Sequence, residues 1–361
     1  MKRIAPPRPR PGSGRRTPCL GPAKAGPCLP LRDRSHAFTL LELLVAVTIT
    51  LVLAGLMLAV VTGTLNLWAR TQDEFATSAQ ARLALDLVER DLHAAVFRQD
   101  GGTWLAVDVS NAPAALANHG WLLSAATKPA TSESQRLLPD PPAGGAPRIA
   151  DARSGLSGAW LRFVTTNVES GGSLPVVVAY QIARRPVSGA ITTASPAEVR
   201  YELFRSAVSA DKTFTGGNDV TAPGYASASP TPAATRASAT VTNPSNADVL
   251  AVNVVDFGVW LYVRDATNGL RRIFPADNSD TAHAAHDTGS APDGTRFPEV
   301  ADVMVRLLTE RGATLLAEIE SGAGRVTRPP AYASDAEWWW AVVEANSRVY
   351  VRRVEVKGRA L

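Results

Sequence analysis

The pattern of apolar and polar positions changes character three times along the chain. Residues 1–37 show no apolar periodicity and are rich in proline, arginine and glycine. Residues 38–61 then read FTLLELLVAVTITLVLAGLMLAVV, 24 residues with a single charge, Glu42. A helix of that length spans about 36 Å at ~1.5 Å per residue, enough to cross a ~30 Å hydrocarbon core. A secretory signal has a shorter apolar core, ~7–15 residues, with a small-residue cleavage site after it. The pattern therefore predicts a single membrane span over 38–61.

After the span the period stays helical but becomes one-sided. No proline occurs between Phe38 and Pro113, and helix formers dominate as far as Arg98. This predicts one helix over 38–98, softened at Gly55 and Gly63 and amphipathic over 68–98. Ala81, Leu85, Val88, Leu92 and Val96 form one stripe; Ala76, Ala79, Leu83, Leu87 and Ala94 form a second on roughly the opposite side. The first stripe is expected to pack on a globular domain. The second, with Leu83 and Leu87 at its centre, is either a surface for a partner helix or a solvated face.

The remainder alternates. Period-two or β-branched runs at 104–109, 160–165, 176–183, 199–205, 249–255, 258–264, 300–308 and 349–356 predict strands. Asp265-Ala266-Thr267-Asn268-Gly269 predicts the turn of a hairpin joining 258–264 to 270–274. A long N-terminal helix packed on an antiparallel sheet, an α+β fold, follows. Ser/Thr/Ala/Pro/Gly-rich stretches at 122–158, 206–247, 275–296 and 321–335 are expected to be long surface loops. The organisation predicted is a basic leader (1–37), a helix (38–98) and a β-rich domain (99–361).

Charge sharpens the division. The first 37 residues carry nine of the basic side chains and one acid, a net of +8, which leaves 28 basic and 32 acidic residues, a net of −4, for the rest. The basic flank places residues 1–37 in the cytoplasm and the β-rich domain outside. The acidic body argues against nucleic acid as a partner. Both cysteines, Cys19 and Cys28, lie in the leader, so the rest has no disulfide, Cys-held metal or thiol nucleophile.

Glu42 is the exception within the span. An intramembrane carboxylate costs ~2.5–3.5 kcal/mol at the helix centre and less near an end, and marks function by default; the bland alternative is that it reaches the headgroups. His36-Ala37-Phe38-Thr39-Leu40-Leu41-Glu42 resembles the type IV prepilin cleavage site, although Ala37 stands where that family prefers glycine and the leader is long. The resemblance implies that a prepilin peptidase cuts between Ala37 and Phe38 and methylates the Phe38 amine. Glu42, then the fifth residue, would neutralise that amine on a neighbouring subunit, setting axial register, or on its own chain.

Ala81-Arg82-Leu83-Ala84-Leu85-Asp86-Leu87-Val88-Glu89-Arg90-Asp91-Leu92 is similar to the LxxALxxxERDL helix of J-class minor pseudopilins of type II secretion. That class also tends to lack a proline many major pilins carry at the place held here by Ala59. Val199-Arg200-Tyr201-Glu202-Leu203-Phe204-Arg205 and the Pro298-led run 297–307 resemble two of its strands more loosely. The long insertions are similar to those of larger pilin-like proteins from Verrucomicrobia-type gene cassettes. The partners implied are prepilin peptidase, other minor and major pilin or pseudopilin subunits and an inner-membrane assembly platform.

Other chemistry is sparse. His283-Ala284-Ala285-His286-Asp287 and Asp277-Asn278-Ser279-Asp280 lack zinc-hydrolase and EF-hand spacing and read as solvated loop, so no metal is expected. No nucleophile elbow, phosphate loop or dinucleotide fingerprint is present, and neither cofactor nor enzymatic activity is expected. Trp338-Trp339-Trp340 cannot all face one way, which predicts at least one partly exposed indole and a partner or ligand surface; the alternative is a short helix over 337–346 anchoring the sheet. The expectation is a minor pilin-like subunit of a secretion pseudopilus or pilus-like filament. Its rivals are an uncleaved membrane-anchored periplasmic enzyme or ligand-binding protein, and a minor pilin for adhesion or DNA uptake.

Overall fold

The computed structural model describes residues 39–98, 100–109, 145–155, 158–166, 174–186, 199–208, 210, 213–214, 219–222, 244, 246–287, 292–321 and 326–360. The leader, Ala37 and Phe38 lie outside these residues, as does most of the stretches 122–158 and 206–247. The chain divides into two units, Met1–Gly63 and Thr64–Leu361. Helix α1 (Leu40–His93) supplies the described part of the first and opens the second. Gly55 and Gly63 both stay helical, and a Cβ at either would meet nothing.

The helix ends at His93, five residues before the expected end at Arg98. Sheet pairing captures the chain there. Ala95 N–H closes a tight turn on the Leu92 carbonyl (3.1 Å), and the Ala94 carbonyl accepts from Thr166 N–H (3.0 Å). β1 (Val96–Phe97) then pairs in parallel with β12 (Arg359–Ala360) near the end of the chain. Val96 is buried as forecast, but as a strand residue.

Two antiparallel sheets follow where one was expected. β2 (Leu105–Val109), β3 (Ala159–Thr165), β4 (Val176–Pro186), β5 (Val199–Ala207), β6 (Val249–Val252) and β9 (Ala282–Ala285) form a six-stranded sheet in the order β6-β5-β4-β3-β2-β9. β7 (Val254–Arg264), β8 (Leu270–Phe274), β10 (Val300–Leu308) and β11 (Ser347–Glu355) form a four-stranded sheet in the order β11-β10-β7-β8. The division falls at Asn253, whose left-handed φ of 61° splits the forecast run 249–255 between β6 and β7. Asparagine tolerates that region better than the β-branched residues beside it.

The hairpin β7–β8 forms as forecast. Asp265 Oδ1 accepts from Thr267 N–H and Gly269 N–H (2.8 Å each), and Asn268 takes φ 64°. The Thr267 hydroxyl also donates to Asp265 Oδ1 (2.7 Å), and that hydrogen bond, followed by the one from Gly269 N–H, holds the Asp265 carboxyl below its ordinary range. Gly258 lies inside β7, where a Cβ would come within 2.8 Å of Ser154 Oγ.

One core joins the sheets and the helix. Phe257, Val259 and Leu261 from β7 meet Leu161, Phe163, Tyr180, Ile182 and Leu203 from the larger sheet, with Ala81, Leu85, Val88 and Leu92 of α1 completing it. Burial of each of these larger side chains contributes about 1.5–3 kcal/mol.

The stretch 275–296 is not the continuous loop expected. It contains β9, and His283 is buried on it with its ring 5.9 Å from that of Phe274. His283 Nε2–H donates to the Arg296 carbonyl (3.0 Å). Burial holds the His283 imidazole below its ordinary range of about 6.5. The unfolded chain therefore binds the proton more readily, and stability falls as pH drops through 6.5. Thermal unfolding between about pH 7.5 and about pH 5.5 is expected to show a smaller acid-side fall in Tm for His283→Gln than for the parent. An equal fall would assign the acid sensitivity elsewhere.

Candidate functional site

The N-terminal motif begins with a reciprocal cap. Thr39 N–H and hydroxyl both donate to Glu42 Oε2 (3.0 and 3.1 Å), and Glu42 N–H donates to Thr39 Oγ1 (3.2 Å). This is a capping box. It satisfies backbone donors that a helix beginning in an apolar medium could not leave open. Every α1 residue from Leu40 to Arg70 is exposed in the isolated chain, so the span offers its whole apolar circumference to lipid or other helices. Thr48, Thr50 and Thr62 turn their hydroxyls back onto carbonyls of the preceding turn and leave no free polar group outside. Among the described residues α1 is the one helix long and apolar enough to cross a membrane.

The second half of α1 is two-faced. Ala81, Leu85, Val88 and Leu92 are buried, as the first stripe requires. Of the second stripe, Ala76, Ala79 and Leu83 are exposed, Leu83 by 59%, while Leu87 is half-buried. Phe75, one residue beside this stripe, is 72% exposed and extends it toward the span.

The strongest polar contact of α1 is one the sequence pattern did not single out. Asp91, fully buried, accepts from the Tyr180 hydroxyl (2.5 Å) and from Arg205 Nε and Nη2 (2.7 and 3.2 Å). Its backbone carbonyl accepts from Thr165 Oγ1 (2.9 Å). Burial, reinforced by the Asp91 charge, pushes the Tyr180 hydroxyl well above its ordinary range. Burial works against the Arg205 guanidinium, but its hydrogen bonds and charge contact with Asp91 win and raise it. One signal was available: Asp91 lies three residues after Val88, so a charge falls on the buried stripe. Its partners, on β4 and β5, could come only from the fold.

Acidic residues nearer the start of this helix meet β11. Arg348 pairs with Glu74 (2.7 Å), and Arg352 pairs with both Asp86 and Glu89. The same helix thus carries ion pairs to the four-stranded sheet and the Asp91 contact to the six-stranded one.

The tryptophans overturn the expectation of an exposed indole and follow its alternative, a short helix anchoring the sheet. Trp338, Trp339 and Trp340 are 8%, 2% and 3% exposed, so no indole is left for a partner. They lie on α3 (Asp335–Asn346), which is capped by Ser334 and packs against α2 (Glu310–Ser321) and the sheets. Trp339 Nε1–H donates to Glu320 Oε1 (2.9 Å), which also accepts from the Tyr201 hydroxyl, while Glu320 Oε2 pairs with Arg184 (2.7 Å). Arg153 sits over the Trp340 ring (4.9 Å). Three successive helical positions point about 100° apart, yet all three side chains are covered.

Among the described residues no group of His, Cys, Asp and Glu could hold a metal ion. His286 and Asp287 form a local pair (3.2 Å), and His283 faces the core. Asp277 and Asp280 are occupied by their own turn, accepting from Ser279 N–H and Ala276 N–H (2.8 Å each). A cavity lined by Tyr201, Asn253, Leu316 and Glu320 measures about 10 Å³, room for about one water.

Neither a curated protein nor a solved structure matches the chain. The family model of the prokaryotic N-terminal methylation motif does match, over residues 32–58. The match spans the Ala37–Phe38 junction, the capping box and α1 as far as Leu58. In that segment, continued by a long apolar helix, the chain has the character of a prepilin-like protein.

Proposed function

We propose that the chain is a minor pilin-like or pseudopilin subunit, made as a membrane precursor and assembled through α1 into a secretion pseudopilus or type IV pilus-like filament. The observation that carries this reading is the methylation motif, set directly on a capped apolar helix of membrane-spanning length. Hydrolysis of the Ala37–Phe38 bond by prepilin peptidase releases the basic leader and a new α-amino group, which is then methylated. An ordinary α-amino group, titrating at ~7.7–8.0, is charged near neutral pH. In an apolar bundle it needs a counter-charge. Glu42, already held at the helix start by Thr39, supplies one to its own chain or to a neighbour.

The reading places the N-terminus in the cytoplasm, a single span in the inner membrane and the β-rich unit in the periplasm. Other minor and major subunits and the assembly platform are its partners. The stripe of Leu83 and Leu87, with Phe75 beside it, is the surface proposed for a partner helix, since it is apolar and left open by the fold.

The test is the mass of the N-terminal peptide of protein from native membranes, beside a strain lacking prepilin peptidase. The expected result is a peptide beginning at Phe38, heavier by one methyl group, that disappears in the deficient strain. An intact leader in both strains would overturn the reading and favour an uncleaved, membrane-anchored periplasmic protein.

A further inference from the structure

Among the described residues the outer edges of the two sheets are unequal. β6 has four residues and a register shift against β5, β9 has four residues, and β8 has five and a register shift against β7. Short strands and bulges are how sheets blunt their edges. β11 does neither: it has nine residues and pairs with β10 along all of them without a shift. Its sequence, SRVYVRRVE, contains no proline or glycine.

The phase of the ladder is fixed at both ends. Val356 N–H donates to the Glu299 carbonyl and Thr309 N–H to the Asn346 carbonyl. In an antiparallel pair, hydrogen-bonded positions alternate. With the register Val300↔Glu355 through Leu308↔Ser347, the residues turned toward β10 are the even-numbered ones. Ser347, Val349, Val351, Arg353 and Glu355 therefore turn N–H and C=O outward. On that face these positions carry Val349, half-buried against the cluster of Ile149, Trp260 and Met304, and Val351, 43% exposed.

We infer that β11 is a strand-addition site, completed by an extended segment of a different subunit with apolar, β-branched residues beside Val349 and Val351. The backbone row dictates the class of partner, since only another extended chain satisfies it. A second copy of β11 is the wrong partner. Glu74 meets Arg348 while Asp86 and Glu89 meet Arg352, so β11 and the second half of α1 run in the same sense. Antiparallel self-pairing about a two-fold axis would set the two α1 helices in opposite senses, whereas helices anchored in one membrane leave it in the same sense. That exclusion rests on the membrane reading proposed above.

Amide exchange of the full chain tests the inference, comparing detergent-solubilised monomer with protein in native membranes. In the monomer the amides of Val349, Val351 and Arg353 are expected to exchange fast and those of Tyr350 and Arg352 slowly. In membranes the outward set is expected to slow by about tenfold or more, the effect of one net hydrogen bond each. Val351→Pro removes an outward N–H without touching β10, so it is expected to keep the parent Tm and lose the slowing at Val349 and Arg353. Should that variant unfold, the parent exchange pattern decides alone.

Outward amides that are slow in the monomer, or fast in membranes, would overturn the inference. So would a disulfide joining two copies of Val351→Cys, which assigns the edge to self-pairing. The N-terminal mass of the same membrane sample separates the two ideas. A mature Phe38 terminus with fast outward amides sinks strand addition alone, and an intact leader with slowed amides sinks the pilin reading alone.

Discussion

Asp91→Ala is expected to destabilise the β-rich unit by about 3–5 kcal/mol, the cost of breaking a buried ion pair from one side. The carboxylate is fully buried and receives both the Tyr180 hydroxyl and the Arg205 guanidinium. Its loss leaves Arg205, 13% exposed at the side chain, without its counter-charge and Tyr180 without an acceptor. For a unit of this size the loss corresponds to a fall in Tm of roughly 10 °C, read by thermal unfolding of the full chain in detergent. Asp91→Asn keeps an acceptor for Tyr180 and should cost less. Arg205→Met combined with Asp91→Leu removes both charges and should recover part of the loss, because the penalty lies in the orphaned partner. A Tm within about 2 °C of the parent for Asp91→Ala would show that the contact carries no stability.

Glu320→Ala is expected to have an effect of the same size through a different part of the core. Arg184 and Glu320 are 5% and 3% exposed at the side chain, and Glu320 also receives Trp339 and Tyr201. The alanine variant strands a buried guanidinium and opens a hole beneath α3, so about 3–5 kcal/mol is again expected. Chemical denaturation should show the midpoint falling with an unchanged slope. Glu320→Gln retains acceptors for Trp339 and Tyr201 and separates the loss of charge from the loss of hydrogen bonds. Equal losses for the two variants would show that the charge, and not the hydrogen-bond network, is what matters.

Much of this fold could be read from period alone. The run 300–308 coincides with β10 and 270–274 with β8; the other forecast runs differ from their strands by a few residues at the ends, while β1, β9 and β12 had no forecast run. Strand runs are local, and so is the Asx-type turn at Asp265. What period could not supply was set by distant pairing. β12 draws Val96 and Phe97 out of the helical pattern. Asn253 splits one apolar run between two sheets. His283 sits on a strand because β2 offers it an edge, although its own neighbours are alanines.

The candidate site divides in the same way. Glu42 stood out in the sequence for its charge, whereas the capping box it forms with Thr39 came from the fold. The Trp338–Trp340 forecast failed because it counted the faces of one helix and not the number of elements around it. Asp91 was visible as a charge on an apolar stripe, but its function as an anchor depends on Arg205, 114 residues away.

The way α1 is fastened has a mechanical consequence. Glu74, Asp86 and Glu89 grip the four-stranded sheet, and Asp91 grips the six-stranded one, all before the chain leaves the helix at Ala94. Tension drawn along α1 therefore enters both sheets through side chains spaced over several turns. The thin backbone link at Ala94–Ala95 and the two-residue β1–β12 pair beyond it are shielded from that load. Force applied along the second half of α1 would reach the two sheets through these contacts before it reached the short β1–β12 pair.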